Sequence, residues 1–317
     1  PFVKHILTPL ALTLIAAPAA AQDKMTVMLD WFINPDHGPI ILAEEKGYFT
    51  DAGLEVELIS PADPNDPPRM VAAGRVDLAV SYQPELHLAQ REGLDLRRVG
   101  TLVETPLTCL VVRADGPVKE MADLKGRKVG FAVAGVQEML LDAMLSHHGV
   151  TPSEVEQINI GWSISPALMS GQVDGVIGAF RNFELNQMQI EGHEGRCFYP
   201  EAEGVPAYDE LIYVAHAEDM DREMIARFLR ATERAAADIV NDPAASGETF
   251  FASDAELRNE LNTRAWEDTW PRFATRPAAV DHGRYDRFEA FMQESGVVDT
   301  TIPAADLVVD VTAQAKP

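Results

Sequence analysis

The chain has 317 residues, of which 26 are Lys or Arg and 50 are Asp or Glu, so its formal net charge at pH 7 is −24. A surface this acidic repels polyanions, which argues against nucleic acid and anionic membranes as partners. It does not exclude a small ligand, because a binding site can differ in charge from the rest of the surface.

The first residues predict a targeting segment that is cleaved from the mature protein. Lys4 and His5 precede the apolar run ILTPLALTLIAAPAA, and the small residues of AAPAAAQD follow. This order of a charged region, an apolar run and an A-x-A site is typical of a secretory signal peptide. We therefore expect residues 1–21 to be a signal peptide, and the rest of the chain to be exported to the periplasm.

The following sequence alternates β-branched runs with helical patterns, which is typical of βαβ units and a largely parallel sheet. Several helical patterns end at Gly, as PIILAEEKG does at Gly47. After His216 helices dominate, and an apolar stripe within 221–240 predicts a helix that packs on a core. The predicted strands cover 25–30, 54–59, 76–81, 96–103, 128–133, 155–160, 173–178 and 210–216.

Two parts of the sequence resemble each other. Residues 70–93 and 168–192 both read as a short helix, a G-x-V-D turn, a strand, a polar and aromatic loop, a helix and a final Gly. The segments VMLDWFINPDHGPIILAEEKG and VGFAVAGVQEMLLDAMLSHHG also share an order of strand, loop, amphipathic helix and Gly. Two similar α/β units in one chain predict two lobes with a cleft between them.

Four loops follow predicted strands, at the sheet edge where open α/β folds bind ligands. They are rich in aromatic, amide and carboxylate side chains, which suits a flat, polar, heteroaromatic ligand. These residues also have structural interpretations. Trp31 could pack between the lobes, and His37 could start a helix. Glu184 could be a surface cap, because the helix dipole favours a carboxylate at the start of a helix. The loops are WFINPDH (31–37), SYQPE (81–85), AVAGVQE (132–138) and GAFRNFE (178–184).

Motifs for catalysis and metal binding are weak. His147 and His148 are adjacent, so on a helix their side chains point in different directions, and zinc spacing is absent from the sequence. Neither G-x-S-x-G nor G-x-G-x-x-G occurs. We expect no metal, no cofactor and no enzymatic activity. Cys109 and Cys197 are the only cysteines, and a disulfide and two buried thiols both stay open.

Several motifs resemble a known family. WF-x-N-x-x-H-x-x-I-x-x-A at 31–43 is followed by EKGYFTDAGLEVEL and M-x-A-x-G-x-VDLA-x-SYQPE, and later by ADLKGRKVG, GAFRNFE and GVPAYDELIYVAH. In this order they resemble the solute-binding proteins of ABC importers, in the branch that binds pyrimidine precursors of thiamin. Nitrate, sulfonate and taurine binders belong to the same superfamily. The EKGYF and DLKG segments are shared across the superfamily, whereas WF-x-N-x-x-H, SYQP and GAF-x-x-x-E are more specific to the branch.

The resemblance implies an α/β, two-lobed type II periplasmic-binding-protein fold with a ligand cleft between the lobes. Lobe I would comprise residues 22–107 plus 214–317, and lobe II residues 108–213. Phe180, where this branch often has Tyr, would stack on a pyrimidine ring, and Glu184 would accept hydrogen bonds from its amino group or ring nitrogen. The complete set of expected ligand-binding residues is Trp31, Asn34, His37, Tyr82, Glu85, Gln137, Phe180, Asn182 and Glu184.

The resemblance further predicts a monomeric, non-enzymatic binding protein that delivers a small heteroaromatic molecule to an ABC permease. The expected ligand is a thiamin-related aminopyrimidine such as N-formyl-4-amino-5-aminomethyl-2-methylpyrimidine. Alternatives are a binder of riboflavin, taurine, sulfonate or nitrate, and an exported pyrimidine-processing enzyme. Arg181 is the only Arg or Lys in the four loops, which disfavours an oxyanion. A related eukaryotic enzyme has a cysteine-rich, iron-associated motif, which two cysteines cannot supply.

Overall fold

A computed structural model describes residues 21–313 of the chain. The predicted signal peptide, except for its last residue, lies outside the described residues. Among those that are described, no helix is both long enough and apolar enough to cross a membrane.

Within residues 21–313, ten strands form two five-stranded sheets. The first sheet has the order β2-β1-β3-β10-β4, and the second has the order β7-β6-β8-β5-β9. The bounds are β1 Asp23–Met28, β2 Leu54–Ile59, β3 Leu78–Ser81, β4 Leu96–Val103, β5 Thr108–Arg113, β6 Lys128–Phe131, β7 Glu156–Asn159, β8 Gly175–Phe180, β9 Gly195–Phe198 and β10 Leu211–His216.

The two sheets repeat one pairing pattern. In the first, β1 is parallel to β2 and β3, while β10 is antiparallel to β3 and β4. In the second, β6 is parallel to β7 and β8, while β5 is antiparallel to β8 and β9. The antiparallel strand is in each case the first strand after the chain crosses from the other sheet. Four strands of each sheet therefore run in one direction and one, β10 or β5, runs in the opposite direction. Both sheets are mixed, and the expectation of a largely parallel sheet holds for the direction of most strands.

Eight of the ten strands were predicted, most with ends shifted by one or two residues. The sequence failed to indicate β5 and β9. Strand β5 is a continuous apolar run that is buried on both faces, so it lacks the alternation that marks a half-buried strand. Strand β9 has only four residues, including an Arg, and lies at the sheet edge.

Cys109 in β5 and Cys197 in β9 form a disulfide with a Cα–Cα distance of 5.6 Å. The two strands pair directly, with Val111 opposite Cys197. The sequence left this pairing open because both cysteines lie in apolar contexts, TCLVV and RCFYP, which suit buried thiols equally well. The bond ties the edge strand to the strand that leads into the second sheet.

Eleven α-helices cover the sheets among residues 21–313. The predicted apolar stripe of the longest helix is confirmed, with Ile225, Phe228 and Ile239 buried, and Asp221 caps its first turn. The bounds are α1 Gly38–Glu45, α2 Tyr48–Asp51, α3 Pro67–Ala72, α4 Gln83–Arg91, α5 Val136–His147, α6 Ile164–Met169, α7 Glu184–Ile190, α8 Arg222–Asn241, α9 Pro243–Ser253, α10 Glu260–Thr269 and α11 His282–Glu294.

Candidate functional site

A cavity lies between the two sheets, where all four predicted loops meet. The space between its walls is about 410 Å³, including the part open to solvent. The lining residues are Asp30, Trp31, Asn34, Asp36, Tyr82, Val133, Gln137, Ile164, Gly178, Phe180, Phe183 and Glu184.

Six of the nine expected ligand-binding residues line this cavity, and three do not. Trp31, Asn34, Tyr82, Gln137, Phe180 and Glu184 are brought together. The side chains of His37, Glu85 and Asn182 lie outside its wall. The binding role of each of the nine residues stays a prediction.

The loop after β1 is held in shape by its own side chains. Asn34 Oδ1 accepts a hydrogen bond from the backbone N–H of Asp36 at 2.8 Å, which caps the short 3-10 turn Pro35–His37. Its Nδ2 donates to the carbonyl of Phe32 at 3.1 Å. The amide of Asn34 is thus largely engaged in the turn, although the residue lines the cavity.

His37 is fully buried and orients a carboxylate. The backbone N–H of Asn34 donates to His37 Nδ1 at 3.3 Å, so the ring proton is on Nε2, which donates to Asp30 Oδ1 at 2.9 Å. The other oxygen of Asp30 accepts from the Tyr82 hydroxyl at 2.9 Å. Both oxygens of Asp30 are therefore engaged, and His37 supports the cavity wall from behind.

Aromatic rings form two sides of the cavity. Tyr82 and Phe180 meet edge to face, with centroids 6.4 Å apart, although they belong to loops of different sheets. Near the mouth, Trp31 contacts Trp162, with a centroid distance of 4.1 Å. Sequence reasoning missed Trp162, because it considered only four loops and Trp162 follows β7 in a fifth.

Glu184 is the most strongly perturbed carboxyl group of the cavity. Its Oε2 accepts a hydrogen bond from the backbone N–H of Phe180 at 2.6 Å, and the side chain is buried. Burial raises the pKa of Glu184 to about 8, and the carboxyl of Asp36 adds to the effect. At neutral pH the group is mostly protonated, so it can donate one hydrogen bond and accept another.

The side chain of Gln137 packs directly against the backbone of Gly178. Gln137 Oε1 accepts from the backbone N–H groups of Ala132 at 2.7 Å and Val133 at 3.1 Å, which fixes the amide at the start of α5. A Cβ on Gly178 would lie 2.1 Å from Gln137 Nε2, and Gly178 also has a φ of +88°. Only glycine meets both requirements at this position.

Asn182 joins the two sides of the cleft instead of facing the cavity. Its Nδ2 donates to Asp36 Oδ1 and to Thr269 Oγ1, both at 2.6 Å, and the side chain is buried. Burial raises the pKa of Asp36 to about 6, while the hydrogen bond from Asn182 opposes this rise. Glu85 accepts from the Ser81 hydroxyl at 2.7 Å, in the first turn of α4.

The cavity carries carboxyl groups and no basic side chain. Asp30, Asp36 and Glu184 line it, and the described lining includes no Lys, Arg or His. Within residues 21–313, no group of three or more His, Cys, Asp or Glu is placed to hold a metal ion. Such a site favours a ligand that carries hydrogen-bond donors, or a basic nitrogen, over an anion. Asp30 was missed because it ends the predicted strand 25–30, where a single carboxylate gives no signal.

Sequence comparison finds relatives whose names refer to thiamine or to a pyrimidine. A protein from Haemophilus influenzae named "Putative thiamine biosynthesis protein" is 46% identical over 94% of this chain and 95% of its own length. The "Formylaminopyrimidine-binding protein" of Halalkalibacterium halodurans is 33% identical over 72% of this chain and 70% of its own. A Schizosaccharomyces pombe relative, "4-amino-5-hydroxymethyl-2-methylpyrimidine phosphate synthase", is 27% identical over 80% and 76%.

The fold has solved counterparts. The alkanesulfonate-binding protein SsuA of Xanthomonas axonopodis pv. citri superposes with a TM-score of 0.71 over 92% of this chain and 99% of that chain, at 16% identity. The predicted periplasmic-binding-protein fold is thereby confirmed. The family model described as NMT1/THI5 like matches residues 34–246. The chain therefore belongs to the NMT1/THI5-like family.

Proposed function

We propose that this protein is the periplasmic solute-binding component of an ABC importer and that it binds a thiamin-related aminopyrimidine, such as N-formyl-4-amino-5-aminomethyl-2-methylpyrimidine. The observation that carries this proposal is the neutral Glu184 carboxyl, which lies between aromatic walls in a cavity whose described lining has no basic side chain. A relative named for binding a formylaminopyrimidine supports the same ligand class.

The chemistry of Glu184 matches the edge of an aminopyrimidine. Such an edge presents a ring nitrogen, which accepts a hydrogen bond, beside an amino group, which donates one. A protonated carboxyl offers the complementary pair, an O–H donor and a C=O acceptor. The face of Phe180 would stack on the ring, and Tyr82, edge-on to Phe180, would limit the ring's position.

Binding would be coupled to closure of the cleft. Trp31 contacts Trp162 across the mouth, and Asp36 is hydrogen-bonded to Asn182 on the other side. A ligand that contacts both walls favours the closed state, because the open state offers it only one wall. A monomer with lobe I at 22–107 plus 214–317 and lobe II at 108–213 would then present this state to the permease.

Binders of nitrate, taurine and sulfonate are the alternatives within the same fold. An oxyanion needs converging cationic or N–H donors. Arg181, the only Arg or Lys of the four loops, forms an ion pair with Glu201 and also donates to the carbonyl of Thr108. The carboxylates of Asp30 and Asp36, which also line the cavity, would repel an anion further.

An enzyme that makes a pyrimidine phosphate is the second candidate, favoured by the relative named as a synthase. Against it, both cysteines of the sequence are joined in the disulfide, so neither is free for a cysteine-rich motif. Both ring nitrogens of His37 are also engaged in hydrogen bonds within the protein.

Calorimetric titration of the refolded, ligand-free protein tests the proposal. The formylaminopyrimidine should bind with micromolar or tighter affinity, about −8 kcal/mol or better. Riboflavin, taurine and nitrate should give no heat. Glu184→Gln should weaken pyrimidine binding about tenfold, because an amide makes a weaker hydrogen bond to a basic nitrogen than a carboxyl group does. Glu191→Gln, an exposed change at the end of the same helix, is the matched control.

Two outcomes would contradict the proposal. Heat with an anion but with no pyrimidine would assign the cavity to the oxyanion binders. Conversion of the added pyrimidine, followed by mass spectrometry and lost in Glu184→Gln, would assign it to the enzymes.

A further inference from the structure

A groove continues outward from the cavity. The two share Trp31, Ile164, Phe183 and Glu184 in their linings, and the groove extends to the segment 254–262. The space between its walls is about 1260 Å³, including the part open to solvent. A substituent on a ligand held in the cavity could therefore extend into the groove.

Four aromatic rings surround the start of this groove. Trp162 is 40% exposed and Phe32 is 47% exposed, and their centroids are 6.3 Å apart. Trp31 packs on Trp162 at 4.1 Å, and Phe183 lies 6.5 Å from Phe32. Large aromatic side chains exposed together beside a cavity often mark a binding surface. Their faces can hold a flat ring or a cation.

The ionisable side chains that line the groove are all acidic. Its described lining includes the carboxyl groups of Asp254 and Glu256, besides that of Glu184, which is mostly protonated at neutral pH, and it contains no Lys, Arg or His. Carboxylates beside exposed aromatic faces favour a cation over a neutral or anionic group.

A buried hydroxyl in the groove is left without a partner. Ser165 lines the groove and is only 1% exposed, and within residues 21–313 its Oγ has no hydrogen-bond partner. Buried polar atoms of native proteins are normally paired, so this hydroxyl indicates a polar group that the groove accepts from outside.

We propose that the groove is a second ligand subsite, which takes a flat, cationic group carried on the pyrimidine. The inference rests on the proposed function, because the pyrimidine in the cavity would anchor the ligand. The preferred ligands are then aminopyrimidines linked to an N-alkylated aromatic cation, and not only the small formylated compound. Trp162 and Phe32 would contact the cationic ring, and Asp254 and Glu256 would attract its charge.

Three probes that share the same aminopyrimidine test this subsite by calorimetry. The first is the N-formyl compound. In the second the formyl group is replaced by an amide that carries a phenyl ring, and in the third that phenyl ring is replaced by an N-methylpyridinium ring. We expect the pyridinium probe to bind about fivefold to thirtyfold more tightly than the phenyl probe. Trp162→Ala, and separately Asp254→Asn with Glu256→Gln, should reduce this ratio to within about twofold. Asp254→Asn with Glu256→Gln should bind the formyl compound with nearly unchanged affinity. Trp162→Ala is compared only by the ratio of the pyridinium and phenyl probes, because Trp162 also contacts Trp31 at the mouth of the cavity.

Matched controls lie outside the groove. Tyr199→Ala removes another exposed aromatic ring, and Glu191→Gln with Glu194→Gln removes the same amount of charge from exposed positions. These variants should retain the preference for the pyridinium probe. Loss of the preference in the controls would assign it to the overall charge of the protein and overturn the subsite.

The outcomes separate the two proposals. Equal affinity for the pyridinium and phenyl probes, together with tight binding of the formyl compound, would overturn the subsite and leave the proposed function standing. Absence of binding by all three probes would overturn both. Binding of the pyridinium probe without the formyl compound would support the subsite and contradict the proposed ligand.

Discussion

Replacing Glu184 by Gln should flatten the pH dependence of the free energy of unfolding. Burial raises the pKa of this carboxyl from 4.5 to about 8 in the folded protein. Between these two values the folded state binds a proton that the unfolded state has lost. The contribution of Glu184 to stability is therefore fully present below pH 4.5 and is lost as the pH rises through about 8.

The size of this loss follows from the two pKa values. Their gap of about 3.5 pH units corresponds to about 5 kcal/mol, at about 1.4 kcal/mol per unit. That figure is an upper limit, because opening of the cleft lets water reach the carboxylate before the protein unfolds. Gln has the size of a protonated Glu and keeps an oxygen for the N–H of Phe180, so at pH 5 the variant should match the wild type within about 1 kcal/mol.

Urea denaturation of both proteins without ligand, at several pH values from 5 to 9, measures the effect. The stability of the wild type relative to the variant should fall steadily with pH. Glu191→Gln, an exposed change directly after the same helix, is the matched control. Parallel curves for the wild type and Glu184→Gln would refute the reasoning, since Glu184 would then ionise as freely in the folded protein as in the unfolded chain.

Three further changes test the cleft and the second sheet. Gly178→Ala places a Cβ against Gln137 at a left-handed φ, so it should cost about 2 kcal/mol in urea denaturation and weaken ligand binding at least about tenfold. Asn182→Ala removes two hydrogen bonds across the cleft, so calorimetry should show about tenfold weaker binding although Asn182 does not line the cavity. Reduction of the Cys109–Cys197 disulfide, whose cysteines are 88 residues apart, should lower the free energy of unfolding by about 4 kcal/mol.

Each of these predictions has its own control or counter-result. Gly192→Ala also changes a glycine of left-handed φ but meets no atom within 4 Å, so it should cost only about 1 kcal/mol and leave the affinity unchanged. Unchanged affinity in Asn182→Ala would mean that closure does not depend on this link. Equal stability of the oxidised and reduced proteins would mean that pairing of β5 with β9 already supplies the constraint.

The position of the cavity could be predicted from the sequence, because each loop that lines it is determined by the strand and helix beside it in the chain. Each of the four loops directly follows a strand, and a strand followed by a helix places its loop at the carboxyl edge of the sheet. The repeated order of elements in 70–93 and 168–192 indicated two such edges, and β3 and β8 do lie in equivalent positions of the two sheets. Trp31, Tyr82 and Glu184 were found in this way.

The contacts that each side chain makes could not be predicted from the sequence in the same way. Asn182 and Asp36 are 146 residues apart in the chain, yet they are hydrogen-bonded across the cleft. His37 has the surroundings of a site residue in the sequence, and only its buried contact with Asp30 shows that it supports the wall. Trp162 was not predicted as a site residue, because the residues beside it in the sequence form no binding motif. In the structure it packs on Trp31.

The physical reason is the range of the interactions involved. Hydrophobic periodicity, glycine at helix ends and the capping of turns act over a few residues, so the strands, the helices and the loops that line the cavity are encoded where they occur. Burial, the raised pKa of Glu184 and the pairing of Cys109 with Cys197 depend on which distant segments pack together. Those properties arise only when the two sheets are assembled with their loops facing one another.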